Sequence, residues 1–163
     1  MTISQMLLPE FDQEMASTRK MLAALPDGNY EWRPHAKSMT LGRLAGHVAE
    51  MPYWAVVTIT QDKLDLSPQM KPNIATSAEQ IVAQFDEALA KAREALVAAS
   101  DEVLTGNWTL SVSGNVVFTM PKIAVLRGMV MNHMIHHRAQ LGVYFRLLDV
   151  PVPATYGPSA DFK

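Results

Sequence analysis

Residues 121–148 read PKIAVLRGMVMNHMIHHRAQLGVYFRLL, and their apolar positions recur at helical spacing: Ala124, Val125, Met129, Val130, Leu141, Tyr144 and Leu148. Pro121 suits the first turn of such a helix, where a missing N–H leaves no bond unmade. His133 and His137 fall inside the stripe, one turn apart. Two imidazoles on a buried face need partners, because an unpaired polar group there has given up its water. Spaced i, i+4, they present two nitrogens to one point, as two ligands of one metal ion. His133 and His136 form a competing pair: the first pair differs by about 40° around the helix, the second by about 60° in the other sense. Both pairs can chelate, and only the first lies wholly on the apolar side.

Working outward, three more amphipathic segments precede this one. Residues 3–25 place Ile3, Leu7, Phe11, Met15, Thr18, Leu22 and Leu25 on one face, and Pro26-Asp27-Gly28-Asn29 ends the helix with turn residues. Thr40 is an N-cap for a second helix over about 41–61. It carries Leu41, Leu44, His47, Val48, Met51 and Trp54 along one side. Pro52 inside that pattern implies either a kink or a break after residue 51. Residues 62–75 read as a linker. Thr76 with Glu79 forms a capping box for a third helix over about 77–99. Trp108, Leu110 and Val112 alternate with polar residues, and Gly114-Asn115 turns the chain into Val116-Val117-Phe118. Residues 107–118 are therefore a short β-hairpin or an extended loop before the last helix. The tail 149–163, with Pro151, Pro153 and Pro158, is expected to run irregularly over the helices. Four long amphipathic helices make an all-α four-helix bundle the expected architecture, as one domain over residues 1–163.

Composition narrows the function. Of 163 residues, 48% are hydrophobic and 18% charged, too apolar for disorder. The net charge is −2 and no basic block occurs, so nucleic acid is not an expected partner. No apolar run reaches the ~18 residues of a membrane span and no signal pattern opens the chain, so no membrane association and a cytoplasmic location are expected. There are no cysteines. Any metal must be held by His, Asp or Glu.

His47 on the second helix supplies a third imidazole. His47, His133 and His137 together would leave coordination positions open, the arrangement of a catalytic ion. Rival metal patterns fail on residue type: Met134 stands where a zincin needs glutamate, and no histidine has Glu three residues before it, as a di-iron bundle requires. Bis-histidine haem needs ligands on opposite sides of a porphyrin. What survives is a mononuclear ion on neutral ligands, which acidifies bound water or thiol. Glu50, one turn beyond His47, is a candidate base or a carboxylate supporting that ring; as a solvated helix carboxylate it would need no role. Trp54 either walls a pocket or packs the core. The last helix carries Lys122, Arg127, Arg138 and Arg146 without an acid. The third carries Glu79, Asp86, Glu87 and Glu94, so pairing between these helices is the expected outcome. Alternatively, Arg138 orients a carboxylate-bearing substrate.

The segment Leu44-Ala45-Gly46-His47-Val48-Ala49, the run His133-Met134-Ile135-His136-His137-Arg138-Ala139-Gln140 and the tail Tyr156-Gly157-Pro158-Ser159 resemble the DinB/YfiT-like superfamily of metal-dependent enzymes over nearly the whole chain. The resemblance implies up-down-down-up topology, a homodimer, and a divalent ion, nickel or zinc, on His47, His133 and His137, with His136 outside the set. It further implies a thiol-dependent transferase acting on a small molecule with a low-molecular-weight thiol of the bacillithiol, mycothiol or glutathione type. The alternatives are a hydrolase using metal-bound hydroxide and a non-enzymatic dimeric metal-binding bundle.

Overall fold

Thr2 caps the first helix, α1 (Ile3–Ala23): its hydroxyl accepts from the Gln5 N–H while the Gln5 side chain accepts from the Thr2 N–H. This box satisfies two donors that a first turn otherwise leaves orphaned. Thr40 does the same for one donor of α2 (Leu41–Thr60), accepting from the Arg43 N–H. Pro52 lies inside α2 and the helix runs through it unbroken, so of the two alternatives, a kink or a break after residue 51, the break does not occur. Burial of Leu44, Val48, Met51 and Ala55 on both sides of the proline holds the helix together across the lost bond.

A short strand, β1 (Lys63–Leu66), then forms within the stretch read as a linker. The third long helix, α3 (Ala78–Ala98), begins one residue later than its sequence suggests: Ser77 is the cap, accepting from the Gln80 N–H, and Thr76 bonds the Gln80 side chain instead. A single turn, α4 (Asp101–Thr105), leads into β2 (Asn107–Val112) and β3 (Asn115–Pro121). Pro121 ends that strand and caps α5 (Lys122–Val125) rather than occupying a first helical turn. From α5 the chain passes through a π-helical stretch, Leu126–Asn132, into α6 (His133–Leu147). Residues 149–162 follow without regular structure. This computed structural model describes residues 1–162; residue 163, the last of the expected tail and domain, lies outside the described residues.

The molecule is mostly helical with a small three-stranded sheet, where the sequence leads to an all-α chain with a short two-stranded hairpin or an extended loop. β2 and β3 do pair antiparallel, but around Ser113-Gly114 rather than Gly114-Asn115. Both turn residues have positive φ, 51° and 80°, as a type I′ turn requires. β1 adds to β2 in parallel, and its Asp65 carboxylate accepts from the Gly114 N–H and the Ser111 hydroxyl. A lone ribbon would be marginal; the third strand and the burial of Trp108 against Val57 and Val125 stabilise it.

The main core lies between α1, α2, α3 and α6, filled by Phe11, Leu44, Phe85, Met134, Leu141 and Phe145. Burying each such side chain contributes about 1.5–3 kcal/mol. α2 packs on both α3 and α6. It therefore carries His47 to the seam where α6 carries His133 and His137. No helix among the described residues is long and apolar enough to cross a membrane.

Candidate metal centre

At that seam the three imidazoles converge. The His133 Nε2 lies 2.8 Å from the His137 Nε2 and 3.4 Å from the His47 Nε2. One ligand atom from each residue falls within 4.8 Å of the others. An ion bound at about 2.1 Å from each of three nitrogens separates them by about 3.0 Å at right angles and about 3.4 Å in a tetrahedron. The observed separations are close to both.

The opposite ring nitrogens face acceptors. The His47 Nδ1 is 3.3 Å from a Glu50 carboxylate oxygen, the His133 Nδ1 is 3.3 Å from the Met129 carbonyl, and the His137 Nδ1 is 2.7 Å from the Gln140 side-chain oxygen. Each Nδ1 therefore carries the proton and donates outward, leaving the Nε2 lone pair pointing inward. Three inward lone pairs repel one another unless a cation lies between them. The residues fit a divalent metal ion.

Each outward acceptor has its own cause. The His133 backbone N–H bonds the Val130 carbonyl at the end of the π-helical stretch. In an α-helix that N–H would take the Met129 carbonyl, four residues back; here it bonds Val130 instead, and the His133 ring meets the Met129 carbonyl. The Gln140 amide donates to the His136 Nε2 at 3.1 Å, which turns its oxygen toward His137. His136 is exposed and outside the ligand cluster, yet it orients the residue that orients a ligand. Glu50 is held by the Asn73 N–H at 3.0 Å and by Arg43, whose Nη1 lies 3.5 Å away. Asn73 reaches it because Gly46 has no side chain: a Cβ there would meet the Asn73 carbonyl oxygen at 2.2 Å.

Electrostatics favour neutral rings at His133 and His137. Burial pushes the His137 imidazole down to about 4, aided by the neighbouring histidines and opposed by Gln140. Burial lowers His133 in the same way. Burial alone would raise Glu50, but its bonds to His47 and Asn73 and the Arg43 charge hold it below the ordinary carboxylate range. An ionised Glu50 beside His47 strengthens that ring as a ligand.

Arg138 is committed elsewhere. Its guanidinium is 2% exposed and pairs with the Glu14 carboxylate at 2.7 Å. It also donates to the Glu14 carbonyl, the Thr18 hydroxyl and the Tyr156 hydroxyl. The basic residues of the last helical stretch thus do not pair with α3. Arg127 meets Glu10, Arg138 meets Glu14, Arg146 meets Asp161 and Lys122 meets Asp62. Trp54 is half-buried and belongs both to core packing and to a cavity wall beside His47. Sequence reading missed Arg43, although its position four residues before His47 places it on the same helix face. Nothing local in the sequence points to Asn73 or to the Met129 carbonyl.

The DinB family model matches residues 1–162. A Bacillus subtilis protein described as uncharacterized protein YrdA is 27% identical over 154 residues, covering 94% of this chain and 88% of that protein. The crystal structure of a DinB-like protein from Bacillus cereus superposes with a TM-score of 0.73 at 28% identity, covering 95% of this chain and 98% of the other. A second DinB-like protein, YjoA from Bacillus subtilis, superposes with a TM-score of 0.69 at 17% identity over 92% and 96% of the two chains, a likeness of fold alone.

Proposed function

The chain belongs to the DinB family, and from that premise we propose that it is a metal-dependent transferase: a divalent ion, nickel or zinc, sits on His47, His133 and His137, and a low-molecular-weight thiol is the cosubstrate. The convergence of three Nε2 lone pairs, each ring locked by an acceptor at its Nδ1, carries this reading. When bound, the ion supplies Lewis acidity, lowering the pKa of the thiol or water it meets so that a nucleophile exists at neutral pH. The chain's own residues do the rest. The imidazoles hold the ion without neutralising its charge, Glu50 and Gln140 fix the His47 and His137 rings, and the Met129 carbonyl fixes the His133 ring. The four long helices belong in this reading to an up-down-down-up bundle, a homodimer working on a small molecule in the cytoplasm.

Titrating the cobalt-substituted protein with a panel of thiols tests it. Thiol binding produces an intense near-ultraviolet thiolate-to-cobalt band. A spectrum indifferent to every thiol, with the metal still bound, contradicts the transferase reading and favours hydrolysis by metal-bound hydroxide.

A further inference from the structure

His47 belongs to two features at once, the triad and a cavity of about 490 Å³ between α2 and residues 64–72. That volume lies within the range of small-molecule sites. A second cavity of similar size, about 480 Å³, lies under the tail, and its two arginines, Arg138 and Arg146, are already paired with Glu14 and Asp161. The cavity at His47 differs in lying beside the triad and in its arginine: Arg43 meets Glu50 through Nη1 alone.

Its walls are apolar and in part aromatic: Trp54, Val57, Leu64, Leu66 and Met70. Tyr53 and Met70 stand at it 56% and 57% exposed, large apolar groups left facing water. Its polar end consists of Arg43 and Glu50. The Glu50 oxygens are taken by the Asn73 N–H and the His47 ring. Arg43 uses only Nη1, toward the Asn73 carbonyl and Glu50; its Nε and Nη2 donors make no bond among the described residues. Arg43 therefore brings to the cavity two donors without an acceptor among the described residues, beside apolar walls. A planar guanidinium edge of this kind receives a carboxylate in bidentate fashion.

We propose that this cavity is the site of the acceptor substrate, a small molecule with an aryl or branched-alkyl body lying on Trp54, Leu64 and Leu66 and a single carboxylate received by Arg43. The assignment rests on the transferase reading for its role in the reaction, but the recognition is a property of the cavity and needs no ion.

The test titrates 4-phenylbutyrate, butyrate and 4-phenylbutylamine into the full-length protein by calorimetry, both as purified and after chelation. Saturable binding of 4-phenylbutyrate is expected in both preparations, at least tenfold tighter than butyrate and than the amine. Ser67→Trp, which fills the cavity from its exposed rim, and Arg43→Met should each weaken it at least tenfold, with folding checked by circular dichroism. Absence of saturable binding overturns the proposal, as does an affinity indifferent to both substitutions or a preference for the amine. Metal content measured on the same samples separates the two readings. Carboxylate binding to a wild-type protein that takes up no ion leaves the cavity assignment standing and defeats the transferase; a bound ion with no carboxylate binding does the reverse.

Discussion

His137 and Arg138 are neighbours on α6, and each enters a polar cluster inside the protein. Around Arg138 the charges close on themselves: the guanidinium meets the Glu14 carboxylate, and Tyr156 bridges them, accepting from Arg138 at 2.7 Å and donating to Glu14 at 2.8 Å. Cation and anion are both present. Around His137 the chain supplies only acceptors, three inward nitrogens without a donor among them once each Nδ1 faces outward. A closed cluster fastens the tail to α1 and α6. An open one is built to be completed by something from outside.

The largest expected effect breaks the open cluster. His133→Ala removes the nitrogen common to both short separations and should abolish metal uptake, while the melting temperature of the metal-free protein stays near wild type. Metal retained at full stoichiometry would sink the site assignment. Next comes the closed cluster. Arg138→Met strands the buried Glu14 carboxylate and should destabilise by about 3–5 kcal/mol, a fall in melting temperature of roughly 6–20 °C. Metal content should be unchanged; loss of metal with intact stability would mean that Arg138 serves the histidines after all.

Smaller effects sharpen the contrast. Gln140→Ala leaves all three ligands but frees the His137 ring, and metal affinity should drop about 10–100-fold with little change in stability. Competition with a chelator measures it. The mildest involves the exposed tail contact of Arg146 and Asp161. Arg146 and the Val152 N–H hold the Asp161 carboxyl below its ordinary 3.8. A depressed folded pKa means a contribution that is present above the unfolded value and fades as pH falls through the folded one. The difference in melting temperature between wild type and Asp161→Asn should thus be small but constant from pH 5 to 8 and shrink as pH falls below 3.8. A difference that grows on acidification would contradict it.

What could be read from the sequence follows the range of the interactions concerned. Helical periodicity is local, so Phe11, Met15, Leu22, Leu44 and Leu141 are identifiable as core, and so is the inward face carrying His133 and His137. Residues 63–66 offered too little: two leucines in four residues become a strand only by pairing with β2, more than forty residues later. At Pro52 the pattern leaves a kink and a break open, and a tertiary core on both sides decides against the break by outweighing one lost bond. Arg138 was misassigned because its partner, Glu14, is 124 residues away, whereas the acids of α3 made the nearer pattern. The π-helical stretch is not legible at α-helical spacing: its wider turn rotates the side chains, and Met131, off the stripe drawn at that spacing, is buried.

The central claim is that the chain holds one divalent ion on His47, His133 and His137. Elemental analysis of protein purified without a histidine tag tests it most directly. Close to one equivalent of a divalent transition metal per chain is expected, lost in His133→Ala. A fully folded wild-type protein that carries no metal and takes up none when nickel or zinc is offered would contradict it.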